Sequence, residues 1–183
     1  MRQWMGVVLL GLLLSGCQGL QSMLPGGGET GRPPAVIERG GEAPGQPGMV
    51  ERKVPFPAET YAKLDKHGSA TIKGRLSYTT SKGQTLVGAH ETVSIAPATQ
   101  YSAEAADVAL AGKRIEPADP RAREYTHYAE TDANGYFVAN GIPAGVFYVA
   151  GSVLLPGGES RSPLILKQVT VGKGQTVKVD LSR

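Results

Sequence analysis

Beyond Gly68 the chain alternates apolar and polar side chains in short runs, broken by turn residues about every eight to twelve positions, as strands do when they bury one face. Ala70, Ile72, Gly74, Leu76 and Tyr78 share one face of a first strand, with Thr71, Lys73 and Arg75 on the other. Val93 and Ile95 mark a second strand ending at Pro97, after a connection through Lys82-Gly83 and Gly88. Thr126 to Thr131, Tyr136 to Ala139 and Val146 to Leu154 read as three more, the first two joined by the turn Asp132-Ala133-Asn134-Gly135. Pro163 to Val171 and Thr176 to Leu181 complete the set, joined by Gly172-Lys173-Gly174-Gln175. Seven strands at hairpin spacing predict an all-β, antiparallel sandwich of two packed sheets.

Helical pattern is confined to two places. Pro57 to Lys66 predicts a short helix with Ala58, Ala62 and Leu64 as its apolar surface and Gly68 as its stop. Ser102 is placed to cap a second, Ala-rich helix running to Ala111. That helix interrupts the strand pattern within residues 100–125, an excursion that costs little loop-closure entropy and is a candidate functional surface.

At the opposite end, Arg2 precedes an unbroken apolar run from Met5 to Leu14. Ten residues rise only about 15 Å as a helix, against a hydrocarbon core of about 30 Å, so the run is a secretion-signal core and not a membrane span. It ends in Leu14-Ser15-Gly16-Cys17, which resembles the lipobox of bacterial lipoprotein signals at every position. The resemblance implies a signal peptide over residues 1–16, cleavage before Cys17, and acyl chains (palmitate among them) on Cys17. Gln18, where such proteins carry Asp when retained in the inner membrane, implies the outer membrane, facing the periplasm. Cys17 is the only cysteine. An exported chain normally pairs its cysteines, so lipid chemistry explains a single one at the processing site better than a disulfide does. More than one acyl chain suffices for stable attachment where one would not.

From Gln18 to Val50 the chain holds nine Gly and five Pro without sustained periodicity, too little apolar area to offset ordering. Residues 17–53 therefore read as a tether with a root-mean-square reach of roughly 30 Å, and residues 54–183 as the folded domain. Charge changes this picture little. The formal net charge is +3, and without Arg2 there are 18 basic against 16 acidic side chains, with no long run of one sign. That excludes the electrostatic footprint of a nucleic-acid binder. Aromatics make up 6% and the one tryptophan is Trp4 in the signal, so any stacking platform must use Tyr or Phe.

Two neighbouring stretches, Thr131-Asp132-Ala133-Asn134-Gly135-Tyr136-Phe137-Val138 and Ile142-Pro143-Ala144-Gly145-Val146-Phe147-Tyr148-Val149, resemble the carboxypeptidase regulatory-like family, a transthyretin-type β-sandwich. Weaker likeness at Gly74, at Val93-Ser94-Ile95-Ala96-Pro97 and along Val177 to Leu181 extends the resemblance over Ser69 to Ser182. The stretch from Gln100 to Tyr125 is longer than the family pattern requires. The resemblance implies a transthyretin-like sandwich whose matched residues carry fold and not chemistry: Gly135 supplies positive φ, and Phe137 with Val146 and Tyr148, or their alternates, fills the core. The metallocarboxypeptidases of the family keep their zinc in another domain. Transthyretin-like lipoproteins also anchor type VI secretion machinery, which implies an assembly role.

Candidate chemistry is sparse. Asp132, Asn134 and Gly135 open like a calcium loop, but Tyr136 and Pro143 stand where oxygen ligands are needed, so an Asx turn is expected. His67, His90 and His127 lack metal-ligand spacing, and no Gly-x-Ser-x-Gly elbow occurs. Neither a metal, a cofactor nor an enzymatic activity is expected. Lys73 and Asp180 are the pair available for an adhesin-type isopeptide bond, but alternation turns both outward, away from the burial such a bond requires. Tyr125-Thr126-His127-Tyr128, flanked by Arg121, Arg123 and Glu124, is the densest polar aromatic cluster, and a strand with one face in the core accounts for it. No ligand-binding residue is singled out. The expected function is a non-enzymatic envelope lipoprotein presenting a β-sandwich to a protein partner, with carbohydrate or peptidoglycan binding as the alternative. A row of exposed tyrosines would support the latter.

Overall fold

Burial along Ala70–Thr79 follows the alternation: Ala70, Ile72 and Leu76 are fully buried while Arg75 and Thr79 are exposed. The computed structural model describes residues 49–183, so the expected signal peptide, Leu14, Ser15, Gly16, Cys17 and the tether up to Gly48 lie outside the described residues. In chain order the elements are β1 (Met49–Val50), α1 (Ala58–Ala62), β2 (Ala70–Thr79), β3 (Thr85–Val87), β4 (Thr92–Pro97), α2 (Gln100–Leu110), β5 (Arg114–Ile115), α3 (Pro120–Arg123), β6 (His127–Glu130), β7 (Tyr136–Ile142), β8 (Gly145–Gly151), β9 (Ile165–Val171) and β10 (Thr176–Ser182).

Two four-stranded sheets form a β-sandwich. In one, β2 pairs with β10 along one side and with β7 and β3 along the other. In the other the order is β6-β4-β8-β9, antiparallel throughout. Ile72, Leu76, Val93, Ile95, Phe137, Ile142, Phe147, Val149, Val171 and Leu181 meet between the sheets in one core, as two apolar faces must.

This corrects the expected strand count and pairing. The sandwich has eight strands and not seven, because Thr85–Val87 pairs with Ser77 to Thr79. It is also not wholly antiparallel, since β10 runs parallel to β2, with Val177 opposite Ile72 and Leu181 opposite Leu76. The close approach of β10 explains Gly74 in mid-strand: a Cβ there would lie 2.0 Å from the Val179 carbonyl and 2.9 Å from the Phe137 ring. At the β6–β7 turn, Gly135 takes φ +80°, and Asp132 Oδ1 accepts from the backbone N–H groups of Asn134 and Tyr136, both at 2.8 Å. That is the Asx turn.

The helices also differ in detail. The cap of α2 is Thr99 and not Ser102: Thr99 Oγ1 accepts from Ser102 N (3.2 Å) while Thr99 N donates to Ser102 Oγ (2.9 Å), a reciprocal capping box. Helix α1 stops at Ala62, and Gly68 serves a different purpose from ending it. A Cβ on Gly68 would lie 2.4 Å from the Ile142 carbonyl, where the chain passes the β7–β8 corner. Packing also begins before Val54. Met49–Val50 pairs with Arg114–Ile115, Arg52 N donates to Glu116 Oε2 (3.1 Å), and the Glu104 carboxylate accepts from Lys53 N (2.7 Å) and Val54 N (3.2 Å). Those partners sit more than 45 residues away, beyond the reach of local composition. Among the described residues no helix is long and apolar enough to cross a membrane.

Candidate functional site

The segment 100–125 folds with residues 52–66 into a second, smaller core of Tyr61, Tyr101 and Ala122, joined by Val54, Phe56, Leu64, Ala118 and Tyr125. Its rings interlock: Phe56 lies 4.9 Å from Tyr61 and 5.7 Å from Tyr101, and Tyr125 lies 5.3 Å from Tyr61, by centroid distance. Cations cover the outside, with Arg52 over Tyr101 and Arg121 over Phe56, each at 4.3 Å, and Lys66 over Tyr125 at 5.0 Å. Burial pushes the Tyr61 hydroxyl above its ordinary pKa, opposed by its hydrogen bond with Thr99 (3.2 Å). The Arg121 side chain and backbone N–H, both bonded to Asp119, hold that carboxyl at about 2.

Between this layer and the outer face of the β6-β4-β8-β9 sheet lies a cleft of about 230 Å³. Its floor comes from alternate positions of three strands: Ser94 and Ala96 on β4, opposite Ala150 and Tyr148 on β8, with Leu166 on β9. The facing side of α2 offers Ser102, Ala105 and Ala106, the i, i+3, i+4 set that a helix turns to one side. Both surfaces carry small side chains, and the space between them stays open. Ala122, Arg123 and Thr126 close one side, and Arg52, Tyr61 and Tyr101 another. Ser102 Oγ donates to the Pro97 carbonyl (2.6 Å) and Tyr101 Oη accepts from Asp119 N (2.8 Å). Three tyrosines, three Ser or Thr hydroxyls and two guanidiniums thus line an otherwise apolar cleft, with no carboxylate among the described residues that line it. An amphipathic ring could stack on aromatic faces there while its hydroxyls meet polar groups.

A crystal structure of a candidate carbohydrate-binding protein (PA1324) from Pseudomonas aeruginosa is similar to this chain with a TM-score of 0.60 and 30% identity, covering 71% of this chain and 99% of its own. The chain belongs to the family of that protein. More distant is a candidate carbohydrate-binding protein from Bacteroides uniformis, with TM-score 0.34 and 11% identity over 63% of this chain and 41% of its own. The minor pilin GBS52 of Streptococcus agalactiae has TM-score 0.37 and 14% identity over 63% and 44%. No family model and no curated protein sequence matches the chain.

The polar aromatic cluster of the sequence is dispersed by the fold. Tyr125 packs into the small core, Thr126 lines the cleft, His127 is half-buried and Tyr128 is 59% exposed. Exposed tyrosines do not form a row: Tyr128 lies on one sheet and Tyr136 on the other. His67 and His127 come together with ring centroids 6.3 Å apart. Burial, and secondarily His67, lowers the pKa of His127, whose Nε2 has no hydrogen-bond partner among the described residues. Among the described residues no group of three His, Cys, Asp or Glu could hold a metal. Lys73 lies opposite Lys178 and Asp180 opposite Arg75 on the outer face of the β2-centred sheet, beside Tyr136 and Val138, in a more open depression.

The cleft itself has no signature in the sequence. Phe147 and Val149 take the core positions of β8, so Tyr148 turns out to the cleft floor. Composition places Arg52 in the tether, and Tyr61 and Tyr101 carry no periodic signal of their own. The available clue was the small-residue face of Gln100–Leu110, which acquires meaning only beside the equally small Ser94, Ala96 and Ala150.

Proposed function

We propose that this chain is a non-enzymatic saccharide-binding module of the bacterial cell envelope, held to the outer membrane by acyl chains on Cys17. The observation that carries the reading is the cleft, where Tyr148 presents aromatic surface and the helical layer hydroxyls and arginines around a space sized for one small ring. Membership in the family of a candidate carbohydrate-binding protein supports the same choice. The motifs around Asn134-Gly135 and Pro143-Ala144-Gly145 favour a transthyretin-like relationship for the sandwich, and their residues act as turns and core. Attachment through Cys17 would raise the local concentration of the site at the membrane, so that weak contacts suffice.

Docking of an envelope protein is the second reading. The exposed Tyr136, Val138 and Val87 on the outer face of the β2-centred sheet favour it.

Calorimetric titration of the full-length protein in detergent with N-acetylglucosamine, its β-1,4 dimer and soluble peptidoglycan fragments tests the proposal. Binding by the native chain, lost when Ala105→Leu fills the cleft, is expected. Binding that survives Ala105→Leu, or no saccharide binding at all, would contradict it.

A further inference from the structure

We infer that the cleft selects an anionic sugar, one bearing a carboxylate or a phosphate; the inference rests on the saccharide-binding reading above. Among the described residues two guanidiniums line the cleft, from Arg52 and Arg123, and no Asp or Glu does. Arg52 is half-buried, and its side chain donates only to neutral carbonyls: Glu116 O (3.0 Å), Pro117 O (3.4 Å) and Tyr101 O (3.4 Å). The nearby carboxylates are turned to other work. Glu116 accepts the backbone N–H of Arg52 (3.1 Å), and Glu104 accepts those of Lys53 and Val54. Arg123 donates Nε to the Ala118 carbonyl (3.3 Å). The ion pairs among the described residues are Lys66–Glu124, Arg121–Asp119 and Arg161–Glu91, and neither cleft arginine belongs to one.

The contrast with Arg121 is informative. Two positions before Arg123, it is neutralised by two side-chain hydrogen bonds to Asp119 (3.0 and 2.8 Å). Within one short helix, then, Arg121 is ion-paired to Asp119, whereas Arg123 feels that carboxylate only at a distance and forms no ion pair among the described residues. The half-buried guanidinium of Arg52 has no carboxylate partner among the described residues, and an entering anion relieves the cost of its partial desolvation with paired N–H groups matched to its oxygens, while the exposed Arg123 adds attraction at the cleft edge. A neutral sugar offers only hydroxyl acceptors and leaves both charges unmatched. Tyr148, half-buried on the floor, supplies a face for the ring, so charge and stacking act on one ligand.

The test is calorimetric titration of the full-length protein with glucose, glucuronate and glucose 6-phosphate at low and high salt, repeated with Arg123→Gln and Arg52→Lys. Arg123 is exposed and makes one backbone contact, so Arg123→Gln is expected to keep the native melting temperature. At least one anionic sugar should bind about tenfold or more tighter than glucose, the worth of a charge-assisted hydrogen bond. The margin should shrink as salt rises and fall severalfold in Arg123→Gln. Comparison of glucuronate with glucose 6-phosphate identifies which anion the forks fit. If glucose binds as tightly as both anions, or the preference persists in Arg123→Gln, the inference is overturned and saccharide binding stands. If none of the three sugars, nor N-acetylglucosamine or its dimer, binds, both fall.

Discussion

Arg52 lies over the ring of Tyr101, with its guanidinium carbon 4.3 Å from the centroid, and donates to that residue's own carbonyl. A residue that composition assigns to the tether is thereby fastened to α2, and with it one wall of the cleft. Arg52→Ala removes the cation–π contact and the hydrogen bonds to three carbonyls, so urea unfolding should show a loss of about 2 kcal/mol. Arg52→Lys should recover less than half, because an ammonium lacks the planar fork. A native unfolding midpoint in Arg52→Ala would mean that the strap does not hold the layer.

Gly74 should be the least tolerant position of β2. A Cβ placed 2.0 Å from the Val179 carbonyl forces the parallel β2–β10 pair apart. Gly74→Ala is expected to cost about 3 kcal/mol, at the upper end for overpacking. The neighbouring Lys73→Ala, on the outer face, should stay within about 0.5 kcal/mol of native. Chemical denaturation of the two variants side by side measures both.

These two residues also mark how far sequence carries. The inward set Ala70, Ile72, Leu76 follows from a period of two, and Gly135 from its turn chemistry, because both are set within a few residues. Thr85–Val87 was missed because three residues are too few for periodicity to register. The parallel pairing of β10 depends on where a distant strand returns, and alternation is the same in either direction. Thr99, not Ser102, caps α2 because both ends of an S/T-x-x-S/T box look like caps until backbone angles choose between them. The cleft was illegible for a stronger reason: its walls come from residues 52, 61, 94–106, 118–126, 148–150 and 164–166, and Ala or Ser in each segment alone reads as indifferent.

His127 gives the fold a pH response. Burial lowers its folded-state pKa below the ordinary 6.5, so the unfolded chain binds the proton more readily. Stability from this group is therefore complete above about pH 6.5 and is lost as pH falls from there through the lower folded-state value. His127→Gln should flatten the dependence of the unfolding midpoint on pH in that window, and His67→Ala should weaken it, since His67 adds to the downward shift. An unchanged slope in His127→Gln would locate the titrating group elsewhere.

Attachment through Cys17 predicts a simple fractionation result. On the proposed attachment, the native chain should incorporate labelled palmitate and sediment with membranes, whereas Cys17→Ser should do neither, because acyl chains rather than the folded domain would supply the affinity. Membrane retention of Cys17→Ser in full would contradict lipid anchoring.

Mapping the binding surface on the isotope-labelled full-length protein by NMR, with glucuronate and N-acetylglucosamine as probes, tests the central claim most directly. Amide shift changes should gather at Ser94, Ala105, Thr126 and Tyr148, around the cleft. Changes gathered instead at Lys73, Tyr136 and Lys178 on the opposite sheet, or none with either sugar, would contradict it.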